Sequence, residues 1–171
     1  MTQTQPFRTE SRTFNWASPG QGDLGALLEL DGLGQLEGMA TGDLPPPPIM
    51  ATLGFTGFRP ERGRVVVEMP AAEFHYNPLG VVHGGVISTV LDTAAACAVH
   101  STLAVGEMYT SLDLTVKFLR PVTVDSGLLT CEGTVVQRGR RTALAQAQLS
   151  DERGKLVAHA TSSCMIFPAE G

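Results

Sequence analysis

The chain has 171 residues, 17 of them acidic and 12 basic, for a formal net charge of −5. That length suits a single domain with its own core, and an acidic chain without a basic tract argues against a general nucleic-acid role. The cysteines, Cys97, Cys131 and Cys164, stand apart with no CxxC pair and no Cys/His zinc spacing. No metal site is therefore expected, and the thiols read as core filler in a reducing compartment.

Taken in order, residues 1–20 are polar with scattered aromatics, Phe7, Phe14 and Trp16. They lack the apolar run of a signal peptide, so a cytoplasmic protein is expected. Asp23 to Met39 carries leucines at 24, 27, 28, 30, 33 and 36, a partial match to an amphipathic helix weakened by Gly25, Gly32 and Gly34. Residues 1–43 thus read as an arm and helical extension, and residues 44–171 as the main domain. Pro45 to Pro48 reads as an extended spacer, and Ile49 to Leu53 as one helical turn. Phe55–Arg59 and Arg64–Met69 read as strands around a Pro60-Glu61-Arg62-Gly63 turn.

The central stretch is Asn77-Pro78-Leu79-Gly80-Val81-Val82-His83-Gly84-Gly85, followed by a nearly uncharged run to Leu103. Asn-Pro and the glycines predict a loop over Glu73–Val82, and the apolar run predicts a buried helix over Gly84–Leu103. Because that run contains Asp92 and His100, it reads as a core helix and not as a membrane span. Four strand-like segments follow: Met108–Arg120, Gly127–Gln137, Thr142–Leu149 and Lys155–Phe167. In the first, Leu112, Leu114, Val116 and Phe118 are expected on one face. One long buried helix followed by successive hairpins predicts an α+β fold, an antiparallel sheet curled around that helix.

Two features of the helix suggest chemistry. Its start offers unpaired N–H groups with partial positive charge, and two glycines allow another molecule to approach. This equipment suits an oxyanion hole; the glycines equally suit a tight turn. Asp92 sits in mid-helix among apolar neighbours, where a carboxylate costs several kcal/mol unless paired. It is either a functional acid or a structural one. Eight positions separate it from Gly84, roughly 12 Å along the axis. One carbonyl cannot touch both, so a shared substrate requires two copies of the chain. The sequence therefore predicts a homodimer with its sites at the interface.

Asn77, His83-Gly84-Gly85 and an acid nine residues after the histidine together resemble the hotdog-fold acyl-CoA thioesterases, in particular the branch of the phenylacetate-pathway thioesterase PaaI. The likeness spans about Leu44 to Phe167. It implies a hotdog fold, with acyl-CoA as substrate and no cofactor beyond the coenzyme A of that substrate. It also implies a homodimer, or a homotetramer of two such dimers. By the same resemblance Asn77 lies beside the thioester, Gly84 N–H is the oxyanion donor, and Asp92 is the base or the nucleophile. His83 is expected to hold the Gly84 N–H in place, with Gly85 at the substrate. His75 and His100 read as structural. Ser111, measured back from Pro121, falls where some mammalian relatives carry a serine that orients the attacking water. Another branch places Ser or Thr four residues after the acid, and here that position is Ala96.

An acidic protein that binds polyanionic coenzyme A needs a local basic patch. Arg138, Arg140 and Arg141 at a hairpin tip, with Lys117 and Arg120 on a preceding strand, are the candidates. The expected function is hydrolysis of an aromatic or medium-chain acyl-CoA to free acid and coenzyme A. The alternatives are a non-catalytic acyl-CoA-binding or sensor protein, which would gain little from a buried acid, and a hotdog hydratase, which uses a different acid–histidine arrangement.

Overall fold

A computed structural model describes residues 8–18, 27 and 29–169. The first part of the predicted Asp23–Met39 helix falls largely outside them. Its second part is helix α1, Gly32–Thr41, capped by the Asp31 carboxylate, which accepts the Gly34 N–H at 2.8 Å. Leu36 of α1 enters the main core. The proline run ends at α2, Pro48–Leu53, with Pro48 at the first helical position, where a missing N–H costs nothing.

The remaining elements are β1 (Gly57–Glu61), β2 (Arg64–Pro70), α3 (Gly84–His100), β3 (Glu107–Ser111), β4 (Thr115–Phe118), β5 (Leu128–Arg138), β6 (Thr142–Ser150) and β7 (Leu156–Pro168). The strands form one antiparallel sheet in the order β1-β2-β5-β6-β7-β3, with β4 also pairing β7. This is the curled sheet around a central helix that the sequence implied, a hotdog fold. No helix among the described residues is long and apolar enough to cross a membrane.

Helix α3 is buried along Ile87, Val90, Leu91, Ala94, Ala95, Ala98 and Val99. Its small side chains let the sheet close on it, most tightly at Gly133 of β5. A Cβ there would lie 2.1 Å from the Ala94 carbonyl oxygen, so no other residue fits without pushing helix and strand apart. Val65, Val67 and Met69 of β2, Leu129 of β5 and Leu149 of β6 fill the same core.

One predicted strand is two. Met108–Arg120 is interrupted after Ser111, and β3 and β4 lie end to end along the same flank of β7. The predicted common face is also broken: Leu114 and Val116 pack on the core, whereas Leu112 is 58% exposed. The helix ends at His100, three residues early. There the Ser101 hydroxyl bonds back to the Ala98 carbonyl at 2.7 Å and also accepts the Gly63 N–H at 2.7 Å.

Candidate active site

The N-terminal end of α3 is assembled mostly from main chain. Tyr76 and Val82 form a bridge that closes the loop between them. Inside it the Asn77 carbonyl and side-chain oxygens accept from Gly80 and Leu79, at 3.1 and 2.9 Å. Asn77 therefore holds its own turn. Its side-chain NH2 group donates no hydrogen bond among the described residues.

On the other side of the bridge the His83 N–H donates to the His75 carbonyl at 2.8 Å. The His75 ring is buried and bonds the Leu53 carbonyl through Nε2 at 2.8 Å. Burial holds its pKa below the usual histidine range, the Leu53 hydrogen bond opposes this, and the Arg12 charge adds to the depression. Arg12, from the N-terminal arm, donates to the Ala51 and Thr52 carbonyls at 2.6 Å each. It also lies 4.2 Å above the Phe74 ring. The last carbonyls of α2 are thereby satisfied from outside the helix.

His83 caps α3, with Nδ1 accepting the Gly85 N–H at 2.8 Å. A neutral ring in this arrangement carries its proton on Nε2. His83 holds Gly85, so the Gly85 N–H is occupied, while the Gly84 N–H has no partner among the described residues. Gly84 faces a shallow groove bounded by Ile87, Phe118 and Arg120. A Cβ on it would sit 3.2 Å from the Phe118 ring.

Two turns further along α3, Asp92 lines a second groove with Ser88, Thr89, Ser111 and Asp113. The two grooves share no lining residue. Burial raises the Asp92 pKa above the ordinary carboxylate range, and the Ser111 hydroxyl in the same groove pulls it partly back. Behind Asp92 stand Cys97, Tyr109 and Cys164. Burial and the nearby carboxylate push the Cys97 thiol up to about 12, and burial raises Tyr109 and Cys164 as well. These groups stay protonated at neutral pH.

The five basic candidates fall into two groups. Lys117 and Arg120 lie at the Gly84 end of the sheet, where Lys117 pairs with His159 and Arg120 donates to the Leu156 carbonyl. Arg138, Arg140 and Arg141 lie near the other end of β7, beside Met165 and Ile166. Arg138 is not free. Its guanidinium bonds Glu107 at 2.5 Å and the Gly139 carbonyl, tying the hairpin to the turn after α3. Arg140 and Arg141 are exposed.

Asp113, Ser88, Thr89 and Phe118 were not singled out from the sequence. Asp113 carried no signal there, because an acid between Leu112 and Leu114 falls on the polar side of the alternation with Thr115 and Lys117. His100 Nε2 is bonded to the Gln35 side-chain oxygen at 2.8 Å, which ties α3 to α1.

A free N–H at a helix start and a half-buried acid along the same helix are the kinds of group that acyl-transfer chemistry uses. The chain belongs to the thioesterase superfamily, whose model matches residues 79–158. A phenylacetic acid degradation-related protein of Ralstonia eutropha JMP134 is 34% identical, with a TM-score of 0.69 over 76% of this chain and 98% of that one. The PaaI protein of Escherichia coli, from its phenylacetic acid degradation operon, shares the fold at a TM-score of 0.68 and 23% identity, over 80% of this chain and 94% of that one. The 1,4-dihydroxy-2-naphthoyl-CoA hydrolase of Listeria monocytogenes is 25% identical over 69% of this chain and 93% of its own length.

Proposed function

We propose that this protein hydrolyses an acyl-CoA thioester at a site made by two copies of the chain. The observation that carries this reading is the separation of its two halves. The unpartnered Gly84 N–H and Asp92 open into different grooves of one chain. The flank formed by β3 and β4 has strand neighbours on one side only, and Met108, Leu112, Phe118 and Leu119 along it are exposed apolar side chains. A second copy set against this flank covers them and brings the Gly84 groove of one chain to the Asp92 groove of the other. The same pairing gathers Lys117 and Arg120 of one chain and Arg140 and Arg141 of the other around one thioester. These cations suit the phosphates of coenzyme A.

In that site the Gly84 N–H stabilises negative charge on the thioester oxygen. Asp92 either takes a proton from water as the water oxygen attacks the carbonyl carbon, or attacks it directly to form an anhydride that water then opens. Either way the C–S bond breaks, the sulfur leaves with a proton, and the products are a carboxylic acid and coenzyme A. Ser111 holds the water or the carboxylate, and the Asn77 amide is available to the substrate. The relatives favour an aromatic acyl group: one is a phenylacetic acid degradation-related protein and another a dihydroxynaphthoyl-CoA hydrolase.

Complementation tests the two-chain site. Gly84 is the first helical residue and His83 before it is extended, with φ −60° and ψ 136°. Gly84→Pro therefore deletes the N–H while keeping the helix. The Phe118 ring that its new carbons approach is more than half exposed and free to move. Gly84→Pro and Asp92→Asn homodimers should both be nearly inactive on phenylacetyl-CoA. Refolded together in equal amounts they should recover about one quarter of wild-type activity, since half the dimers are mixed and each holds one whole site of two. No recovery from well-folded mixed dimers would place both groups in one chain.

A further inference from the structure

We propose that Asp113 is a positioning residue: its carboxylate fixes a one-residue bulge between β3 and β4, and that bulge turns the Ser111 hydroxyl to the Asp92 side of the sheet. The inference deepens the proposed function and rests on it for its catalytic meaning.

The bulge is visible in the register. Ser111 is the last β3 residue and pairs with Cys164; Thr115 is the first of β4 and pairs with Thr161. Between these pairs the flank uses residues 112, 113 and 114, while β7 uses only 162 and 163. One extra residue on one strand is a bulge, and bulges commonly re-aim a side chain beside a site.

The consequence follows from the period of two along a strand. On β7 the residues facing the helix are Ala158, Ala160, Ser162, Cys164 and Ile166, all buried. Directly opposed residues share a face. Tyr109 and Ser111, opposite Ile166 and Cys164, therefore point inward, and so does Val116, opposite Ala160. A regular strand cannot present both 111 and 116 on one face, because they differ by an odd number. With Val116 inward and no extra residue, Ser111 would face away from Asp92. A slip of one position reverses every side chain beyond it.

Asp113 holds this irregularity together. Its Oδ1 accepts the Ser163 N–H at 3.0 Å, taking the place of a strand carbonyl. Its main-chain carbonyl accepts the Ser162 hydroxyl at 2.8 Å, and the neighbouring Leu112 N–H donates to the Ser163 carbonyl at 2.8 Å. The backbone groups that the bulge would leave unpaired are thus satisfied from within it.

The groups facing Asp92 are Cys97 on its own helix, Tyr109 and Ser111 on β3, and Cys164 on β7, with Asp113 in the same groove. Of these, the Ser111 hydroxyl favours the ionised carboxylate. Asp113 as a nearby negative charge would act the opposite way and disfavour it. The two roles therefore predict shifts of opposite sign.

The test is a ¹³C NMR titration of the Asp92 carboxyl in the full-length protein, with the pH profile of kcat/KM beside it. Asp113→Ala should move the Asp92 midpoint up, as Ser111→Ala does, and the double variant should move it no further. Asp113→Asn keeps an oxygen for the Ser163 N–H and removes the charge, so its midpoint should stay at or below that of wild type. If Asp113→Ala folds poorly, Asp113→Ser, whose hydroxyl is too short to span the bulge, carries the same expectation. Downward shifts in Ala and Asn variants alike would show a charge effect and overturn the proposal, as would a wild-type midpoint in Asp113→Ala. Because the titration reads Asp92 directly, it answers even if turnover proves not to depend on Asp92.

Discussion

The two ends of the α3 site are built by different means. The Gly84 end is local: every group that shapes the free N–H lies between His75 and Gly85, apart from the Phe118 ring and the carbonyl of Val122 that fixes Val82. Turns, a bridge and a cap make it. The Asp92 end is assembled across the sheet, from an acid on the helix, a serine on β3 and an aspartate that bonds a strand fifty residues away. A main-chain site tolerates side-chain change but not loss of one N–H. A side-chain site fails when a single carboxylate changes, or when a strand slips by one residue.

Asp92→Asn breaks the comparison most sharply. Asn has nearly the shape of Asp but neither accepts a proton nor attacks a carbonyl at neutral pH. If Asp92 is a general base, kcat should fall at least about 10²-fold, with the dimer intact. Stability should move the other way. The folded Asp92 pKa is raised, so its ionised form is penalised relative to the unfolded chain. That penalty is absent below the unfolded pKa of about 3.9 and complete once pH exceeds the folded value. The variant should therefore melt at or above the wild-type temperature near pH 7, and the difference should shrink as pH falls towards 4. Melting curves at several pH values, with turnover of phenylacetyl-CoA, decide it. A lower melting temperature with turnover kept would make Asp92 a structural acid.

The basic groups offer a middle-sized test, because one belongs to each end. Arg140 and Arg141 are exposed on the Asp92 side, while Arg138 is committed to Glu107. Changing Arg140 and Arg141 together to Ala should raise KM for acyl-CoA about tenfold, as two exposed phosphate contacts of roughly 0.7 kcal/mol each would give. Thioesters lacking the nucleotide should be nearly unaffected, since uniform binding energy is what is lost. Arg138→Ala should instead lower the melting temperature, because it strands Glu107 and loosens the hairpin. Equal losses on both substrates in the Arg140/Arg141 variant would make that tip a structural element too.

The same contrast explains what was legible in the sequence. The helix, the loop before it and its free N-terminal N–H are announced by Asn-Pro, His-Gly-Gly and an uncharged run, all signals of short range. Asp92 is conspicuous because it is an acid among alanines. The hairpins from β5 to β7 follow from alternation and turn residues. What could not be read depends on pairing between distant segments. The alternation through Leu112, Leu114, Val116 and Phe118 favours one continuous strand, and nothing local says that a residue is extra at 112–114. Ser111 was singled out by resemblance to relatives, while that alternation would have placed it on the wrong face. Likewise Arg138 looks equivalent to Arg140 and Arg141 until Glu107 is brought beside it. The role of the arm was illegible for the same reason, since Arg12 meets Ala51 and Thr52 only in three dimensions.

The smallest effect belongs to His83, and it sharpens the description of the Gly84 end. Histidine invites assignment as a proton-transfer group, since its ordinary pKa lies near neutrality. Its position argues for a cap. Nδ1 is occupied by the Gly85 N–H, and the main-chain N–H is tied to His75. Asparagine is among the best N-cap residues, and its side-chain oxygen accepts from the same helical position. His83→Asn should therefore keep both stability and kcat within a few-fold of wild type. His83→Ala removes the cap at a cost of about 1 kcal/mol and leaves the Gly84 N–H less firmly aimed, so its kcat should fall further than that of Asn. A proton-transfer role predicts a different pattern, with both variants losing activity alike and the histidine limb vanishing from the pH profile of kcat/KM. Comparing the two variants over pH 5 to 9 separates the cap from the acid–base group, and equal losses in Asn and Ala would move His83 from the scaffold of the main-chain half into the chemistry.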